Sequence, residues 1–585
     1  MQMTTLSLRP GTMRRTPLQA TTFCLTAAAF VWAIVACMIL PMLNLLGTVF
    51  FEGGQLSLDA FTKLLRSPRA MKALRNSFIL APTLSLTVGV VGISLVLITE
   101  WFDIKGARVL RLGYMTTLIY GGVTLVSGYK FIYGNTGMLT DLMASVFPGM
   151  DRNWFTGYWA VLFVMTFSCT SNHMIFLRNA MRAVDFQTVE AARNMGAGQW
   201  YILRRVVLPV LLPSLFAVTI LTFITGLCAM SAPLLVGGRD FQTINPMIKQ
   251  FADMTTSSAK SLAATLSFVL GLATMILLAA MTVIERRGHY MSVSKVKTRV
   301  VKQKIASPIL NALAHVYAWA LFAVYVVPVA LIVLFSFSDP AHIQQRQLDF
   351  STFSLKNYAE LLGKATAYKP FMVSIIYSAL AALIAGTMAI VACRYIQKRR
   401  HALGPVALEY SLMLPWLLPT TLIALSLMLA FNQPRWYMFG RPLIATLQLL
   451  LIGYVIIKMP FTMRMTKAAF FGLDDALEDA ARNMGASALY TFRRVVFPVL
   501  LPTVLAIAAL NFNGLLTDYD MSAFLHHPAS PTLGVKIKSL TEEMGNSSDG
   551  VALTFVYAVL MMIVSAVVLW LVYGRASRDG MERAS

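Results

Sequence analysis

Charged side chains stand deep within long apolar runs of this 585-residue chain at Lys130, Lys458, Asp518 and Asp520. An ionised group inside a membrane is costly unless it meets water, a partner or a charged solute, so each is a candidate for handling a solute. Asp518 and Asp520, in Leu516-Thr-Asp-Tyr-Asp520, could attract a cation or an amine. Lys130 could attract an anion or pair with one of the aspartates. Lys458, close to the inner end of its run, reads more simply as a snorkelling side chain. The positions 289 residues before the two aspartates hold Ala229 and Ser231, so any route they line is asymmetric. His526-His527 precedes Pro528 and reads as a surface turn, and no metal site and no catalytic residue are expected.

The elements that hold these groups are apolar helices. Hydrophobic residues make up 57% of the chain and charged residues 13%, and the mean hydropathy is +0.67. These values lie far from soluble-domain norms. Twelve apolar runs are long enough to cross a bilayer: 21–46, 77–99, 109–133, 157–177, 214–236, 261–284, 312–337, 371–393, 406–430, 442–463, 503–525 and 551–573. Gly121-Gly122 weakens the third run, and the two aspartates weaken the eleventh. The fold class expected is all-α: a polytopic membrane protein of about 12 transmembrane helices in two homologous six-helix halves.

A net charge of +23 would suggest nucleic acid for a soluble protein. Here the basic residues sit mainly between apolar runs, so the lipid bilayer and the positive-inside rule explain them, and no nucleic-acid partner is expected. With both termini cytoplasmic, 30 of the 49 Lys and Arg fall on inner segments. Segment 51–76, with Lys63, Arg66, Arg69, Lys72 and Arg75, is the exterior exception. The first run, about 26 residues long, exceeds a cleaved signal's apolar core and reads as an uncleaved anchor. Cys24, Cys37, Cys169, Cys228 and Cys393 lie in apolar runs without paired spacing and read as small packing residues.

One polar loop occurs twice. Glu190-Ala-Ala-Arg-Asn-Met-Gly-Ala leads to Arg204-Arg-Val-Val-Leu-Pro-Val-Leu-Leu-Pro213; Asp479-Ala-Ala-Arg-Asn-Met-Gly-Ala leads to Arg493-Arg-Val-Val-Phe-Pro-Val-Leu-Leu-Pro502. Residues 191–213 and 480–502 agree at 17 of 23 positions. Residues 186–195 and 475–484 read as short helices, with Glu190 and with Asp475, Glu478 and Asp479 toward their N-termini. Adjacent alanines offer a smooth face for another protein, and Gly196 and Gly485 permit a sharp helix end. A bland solvated loop would have no reason to match its copy better than the flanking runs do.

The repeated pattern resembles the EAA signature of binding-protein-dependent ABC importer permeases: Glu-Ala-Ala, three residues, Gly, nine residues, then Ile-x-Leu-Pro. Glu190-Ala191-Ala192, Gly196 and Val206-x-Leu208-Pro209 fit with Val for Ile. Asp479-Ala480-Ala481, Gly485 and Val495-x-Phe497-Pro498 fit with Asp for Glu and Phe for Leu. The resemblance covers essentially the whole chain. It implies an ATP-driven importer of the bacterial inner membrane, with both termini cytoplasmic. Glu190, Ala191, Ala192 and Gly196, with Asp479, Ala480, Ala481 and Gly485, would seat two coupling helices in two copies of a cytoplasmic ATPase. A periplasmic substrate-binding protein would deliver cargo. This chain lacks a Gly-x-x-x-x-Gly-Lys-Ser/Thr phosphate loop, so ATP and Mg would sit on the partner ATPase and no cofactor on this chain.

The organisation implied is a first half over 1–290 with its loop near 186–213, a cytoplasmic linker over 291–311, and a second half over 312–585 with its loop near 475–502. Ser127-Gly128-Tyr129 resembles a Pro-Gly-Tyr element of the ferric-type fused permeases, and Pro415-Trp-Leu-Leu-Pro419 is its counterpart. Both are expected as interrupted helices that expose backbone to a cargo. The candidate pathway residues are therefore Gly128, Lys130, Pro415, Pro419, Asp518 and Asp520. Ferric iron is the first expectation for cargo, with 2-aminoethylphosphonate, a phosphorylated sugar or thiamine as alternatives. A secondary transporter would need a denser network of ionisable midspan groups and would leave the repeated loops unexplained, as would a membrane scaffold.

Overall fold

The computed structural model describes residue 25 and residues 28–574, apart from 53, 182–183, 288–301, 400–402, 439 and 543–547. Both chain termini, Cys24 and the linker up to residue 301 lie outside the described residues.

Ten described helices are long and apolar enough to cross a membrane. In the first half they are span 1 (Ala28–Phe50), span 2 (Pro68–Trp101), span 4 (Tyr158–Met181), span 5 (Gln199–Leu227) and span 6 (Ser257–Val283). In the second they are span 7 (Pro308–Ser336), span 8 (Ala365–Lys398), span 10 (Leu447–Phe471), span 11 (Ala488–Leu516) and span 12 (Gly550–Val572). Spans 3 and 9 are broken. Ala107–Leu118 meets Gly122–Val146 at 113°, and Leu403–Leu417 meets Thr420–Ala430 at 105°. Counting each bent pair once gives twelve.

The break in span 9 falls where Pro415 and Pro419 were expected to place it: Pro419 has no N–H to continue the helix. In span 3 the expected position is corrected. The chain breaks at Gly121-Gly122, where Gly121 is extended and Gly122 takes a φ of +59°. Ser127, Gly128 and Tyr129 lie inside the regular helix Gly122–Tyr133 that follows. Gly128 is there for space, since a Cβ would stand 2.1 Å from the Tyr120 hydroxyl and 2.7 Å from Ile332.

A second correction concerns span 11, which was expected to run to residue 525. Its helix stops at Leu516, and Asp518 and Asp520 lie in the turn before the short helix Ser522–Leu525. Span 5 does the same at its equivalent residue: its helix stops at Leu227 and a short helix follows at Ser231–Val236. The halves keep one register of 289 residues here, so that Ile244–Asp253 matches Leu533–Glu542. Even a detail of the packing repeats: Ser77 accepts from the Ile244 N–H at 2.9 Å, and Ser374 from the Leu533 N–H at 2.8 Å.

The halves interlock. Span 1 packs on Thr420–Ala430 of the other half, and span 7 packs on Ala107–Tyr114 and Gly122–Tyr133. Tyr114 donates to the Ala318 carbonyl at 2.7 Å and Tyr129 to the Val324 carbonyl at 3.2 Å, fixing span 7 against the broken span 3. In the exterior exception to the charge pattern, Lys63 pairs with Glu52 and Asp59, and Lys72 lies 3.7 Å from Asp240. Local carboxylates offset part of that positive charge.

Candidate functional site

The repeated loops form two short helices, Phe186–Asn194 and Asp475–Asn483. Asp185 caps the first by accepting from the Gln187 N–H at 3.0 Å, and Asp474 caps the second by accepting from the Ala476 N–H at 2.9 Å. Sequence reasoning placed the favourable acidic charge on Glu190, Asp475, Glu478 and Asp479 and missed both caps. An Asp just before each run was the available signal. Gly196 and Gly485 end the helices at φ +83° and +82°. There the next residue's N–H reaches six residues' span back, Ala197 to the Ala192 carbonyl and Ala486 to the Ala481 carbonyl, both at 3.0 Å.

The alanine pairs divide their work. Ala191 and Ala480 face solvent, whereas Ala192 and Ala481 are buried against the chain itself, 7% and 4% exposed. The exposed surface of each helix therefore includes Glu190, Ala191 and Met195, and Asp479, Ala480 and Met484. Met195 and Met484 are 81% and 82% exposed, and exposed Trp200 and Leu489 follow them. An apolar, flexible methionine standing in solvent at the same place in both halves suits a docking surface.

The two helices are held by different means. Glu478 makes a forked ion pair with Arg394 of span 8, with one arm at 2.8 Å. The adjacent guanidinium holds the Glu478 carboxyl below its ordinary pKa range. Val189 occupies the equivalent place in the first half and is fully buried. There Arg193 donates to the Gln303 side chain and Gln199 to the Lys304 carbonyl. Gln303 is in turn fixed by backbone bonds to Trp101 and Asp103 at 2.8 and 2.9 Å. The end of the inter-half linker thus braces the first helix.

Around the breaks the two halves meet. A Cβ on Gly122 would stand 3.2 Å from the Thr517 carbonyl, so this glycine admits the backbone of the opposite half. Thr421, just after Pro419, donates to Asn245 at 2.9 Å, and Ser127 bonds Thr541 at 2.7 Å. Lys130 reaches the Thr541 carbonyl at 3.5 Å and feels Glu542. It does not partner an aspartate.

The aspartate that feels a lysine is Asp518, with Lys458 of span 10 in its neighbourhood but outside ion-pair distance, although Lys458 reads in the sequence as snorkelling. Gly514 makes room for this lysine, since a Cβ there would stand 2.8 Å from Nζ. Asp518 also accepts from the Ser522 N–H at 3.1 Å and lies within reach of the Tyr454 hydroxyl, so it caps the short helix Ser522–Leu525. Asp520 has no ion-pair partner among the described residues. It stands near Cys228 of the other half and keeps part of its surface open. The structure therefore gathers Asp518 and Asp520 with Lys458, and leaves Lys130 and Gly128 on a separate inter-half contact. His526 bonds the Ser522 carbonyl at 2.9 Å and His527 accepts from the Ala529 N–H at 3.1 Å, which builds both into a turn. Among the described residues no three His, Cys, Asp or Glu side chains are grouped to hold a metal.

The profile of one family, described as the binding-protein-dependent transport system inner membrane component, matches residues 64–289 and again residues 378–574. The chain belongs to this family. It is an ABC importer permease with its domain present twice, a multi-pass subunit of the inner membrane. The permease is 38% identical over 559 residues to the probable ABC transporter permease protein y4fN of Sinorhizobium fredii (strain NBRC 101917 / NGR234), covering 95% of this chain and 97% of that one. It is 22% identical over 541 residues to the ferric transport system permease protein FbpB of Actinobacillus pleuropneumoniae, covering 91% and 75%. It is 30% identical over 276 residues to the putative 2-aminoethylphosphonate transport system permease protein PhnV of Salmonella choleraesuis (strain SC-B67). That match takes in 46% of this permease and 98% of the relative, so the relative is about half as long as this chain.

Proposed function

We propose that this permease imports ferric iron handed over by a periplasmic binding protein, driven by two copies of a cytoplasmic ATPase. The observation that carries the coupling part is the paired free face at Glu190, Ala191 and Met195 and at Asp479, Ala480 and Met484. Two docking helices in one chain call for one permease per two ATPases. Closure of the ATPases draws these helices together and tilts the interlocked halves, which opens the charged turn at Asp520 alternately to either side. Cytoplasmic termini follow from the basic inner segments.

The cargo reading rests on likeness over most of the chain to two ferric transport permeases, the second being the putative FbpB 1 of Haemophilus influenzae (strain ATCC 51907 / DSM 11121 / KW20 / Rd) at 23% identity. An unpaired Asp520 at the inter-half turn is an oxygen group of the hard type that ferric iron prefers. One observation favours 2-aminoethylphosphonate instead. Lys458 of span 10 lies near the turn that carries Asp518 and Asp520, and both signs of charge suit a solute that has an ammonium and a phosphonate.

Two measurements test these readings. Native mass of the purified complex should give one permease chain with two ATPases; two permease chains per complex would reject the coupling part. Calorimetric titration of the cognate binding protein should show tight binding of ferric iron. Binding of 2-aminoethylphosphonate in its place would decide for the second cargo.

A further inference from the structure

At the inner edge of the membrane three equivalent positions carry polar or charged side chains in both halves, with the carboxylate on a different element in each. In the first half Glu100, at the end of span 2, lies 2.8 Å from Arg178 of span 4 and 3.5 Å from Arg111 on the first limb of span 3. Counted from the ends of spans 2 and 8, from the breaks of spans 3 and 9 and from the starts of the two loop helices, Gln397, Glu409 and Lys467 stand opposite Glu100, Arg111 and Arg178. There the carboxylate has moved onto the limb: Glu409 pairs with Lys467 of span 10, and Gln397 accepts from Arg394 at 2.9 Å. What both halves keep is the joint between span 4 or 10 and the first limb of the broken helix. Which element carries the negative charge differs.

The joint sits where motion must pass. Arg178 and Lys467 each lie eight residues before the start of a loop helix, at Phe186 and Asp475. The limbs they hold lead directly to the breaks at Gly122 and Pro419. All four groups of the Glu100–Arg178 and Glu409–Lys467 pairs are partly buried, so water and salt screen them less than surface pairs. A cavity of about 310 Å³ between Glu409, Met413, Arg464 and Phe471 leaves the second limb room to shift.

We propose that the Glu100–Arg178–Arg111 cluster and the Glu409–Lys467 pair are positioning joints that carry displacement of the two loop helices to the first limbs of the broken spans. The inference rests on the coupling reading above, and it adds the residues through which the motion reaches the pathway. Neither joint touches cargo or nucleotide.

The test uses the purified permease–ATPase complex in lipid, with the five native cysteines replaced by serine. Spin labels go on Cys at Leu112 and Tyr410, which are exposed on the two first limbs. Trapping the ATPases with ATP and vanadate should change the distance between the labels. In Glu409→Gln and in Glu100→Gln that change should be lost while ATP hydrolysis continues at a rate close to that of the parent complex. The charge swap Glu409→Lys with Lys467→Glu should recover it. A merely structural pair would lower assembly and hydrolysis together and leave the change per assembled complex intact, which would overturn the proposal. If Glu409→Gln does not assemble, Glu409→Leu with Lys467→Leu leaves no unpaired charge and should show the same loss. No distance change in the parent complex would remove the coupling reading and this inference with it. A change in the parent that persists in every variant would reject the inference alone.

Discussion

Asp518 and Asp520 are two residues apart and do different work. Asp518 has Lys458 in its neighbourhood and accepts from the Ser522 N–H at the start of the helix Ser522–Leu525, so it is part of the frame. Asp520 has a like-charged neighbour in Asp518 and no cation paired with it among the described residues. Neutralising Asp518 leaves the Lys458 charge in the span without its nearby carboxylate. Asp518→Asn should therefore lower the amount of permease in the membrane, and adding Lys458→Met should restore much of it. Asp520→Asn should leave abundance unchanged and depress uptake per assembled complex several-fold. Quantitative immunoblotting beside uptake of labelled iron separates the two. Equal abundance and equal uptake in both single variants would show that neither aspartate lies on the route.

At the level of the element, the two loop helices expose one alanine of each pair and bury the other. Ala480→Arg and Ala191→Arg should place a guanidinium on the free face and sharply reduce the ATPase recovered per permease, with permease abundance unchanged. Ala481→Arg and Ala192→Arg should fail earlier, because a long cation cannot enter sites that are 4% and 7% exposed, and the permease itself should be depleted. Full ATPase recovery with Ala191→Arg and Ala480→Arg combined would contradict docking through this face. The division could not be read from the repeat alone, since both alanines recur identically and helix periodicity over nine residues leaves the rotation open. The helices themselves were legible, because Gly196 and Gly485 sit where a left-handed helix end requires them. The break at Pro415–Pro419 was legible for a similar reason: proline removes a donor wherever it stands. The break in span 3 was misplaced because a glycine serves two purposes. Gly122 bends the chain, whereas Gly128 only makes room for Tyr120, and local sequence does not tell one from the other. The surroundings of Lys458 are not legible in the sequence because the carboxylate it feels, Asp518, is 60 residues away on a turn that reads as continuous helix.

For the whole molecule, duplication accounts for the architecture and divergence for its asymmetry. The two halves share the helix ends, the loop helices and the Ser77 and Ser374 bonds, yet the means of bracing differs, an Arg394–Glu478 fork in one half and the linker residue Gln303 in the other. Charge is the basis of the proposed orientation of this frame in the membrane. Basic residues concentrate on the segments that include both loop helices, and the exterior exception at 51–76 is partly offset by Glu52, Asp59 and Asp240. A segment whose charge is already balanced is less costly to carry outward than its lysine and arginine count suggests, which reconciles it with the positive-inside rule. Single cysteines then report the side directly. Trp436→Cys lies on the segment between spans 9 and 10, and Met484→Cys on the second loop helix; both parent residues are well exposed, at 88% and 82%. In intact spheroplasts a membrane-impermeant maleimide should label Trp436→Cys fully and Met484→Cys only after the membrane is opened. Labelling of Met484→Cys in closed spheroplasts would invert the molecule, put both docking faces out of reach of a cytoplasmic ATPase, and remove the basis for coupling through them.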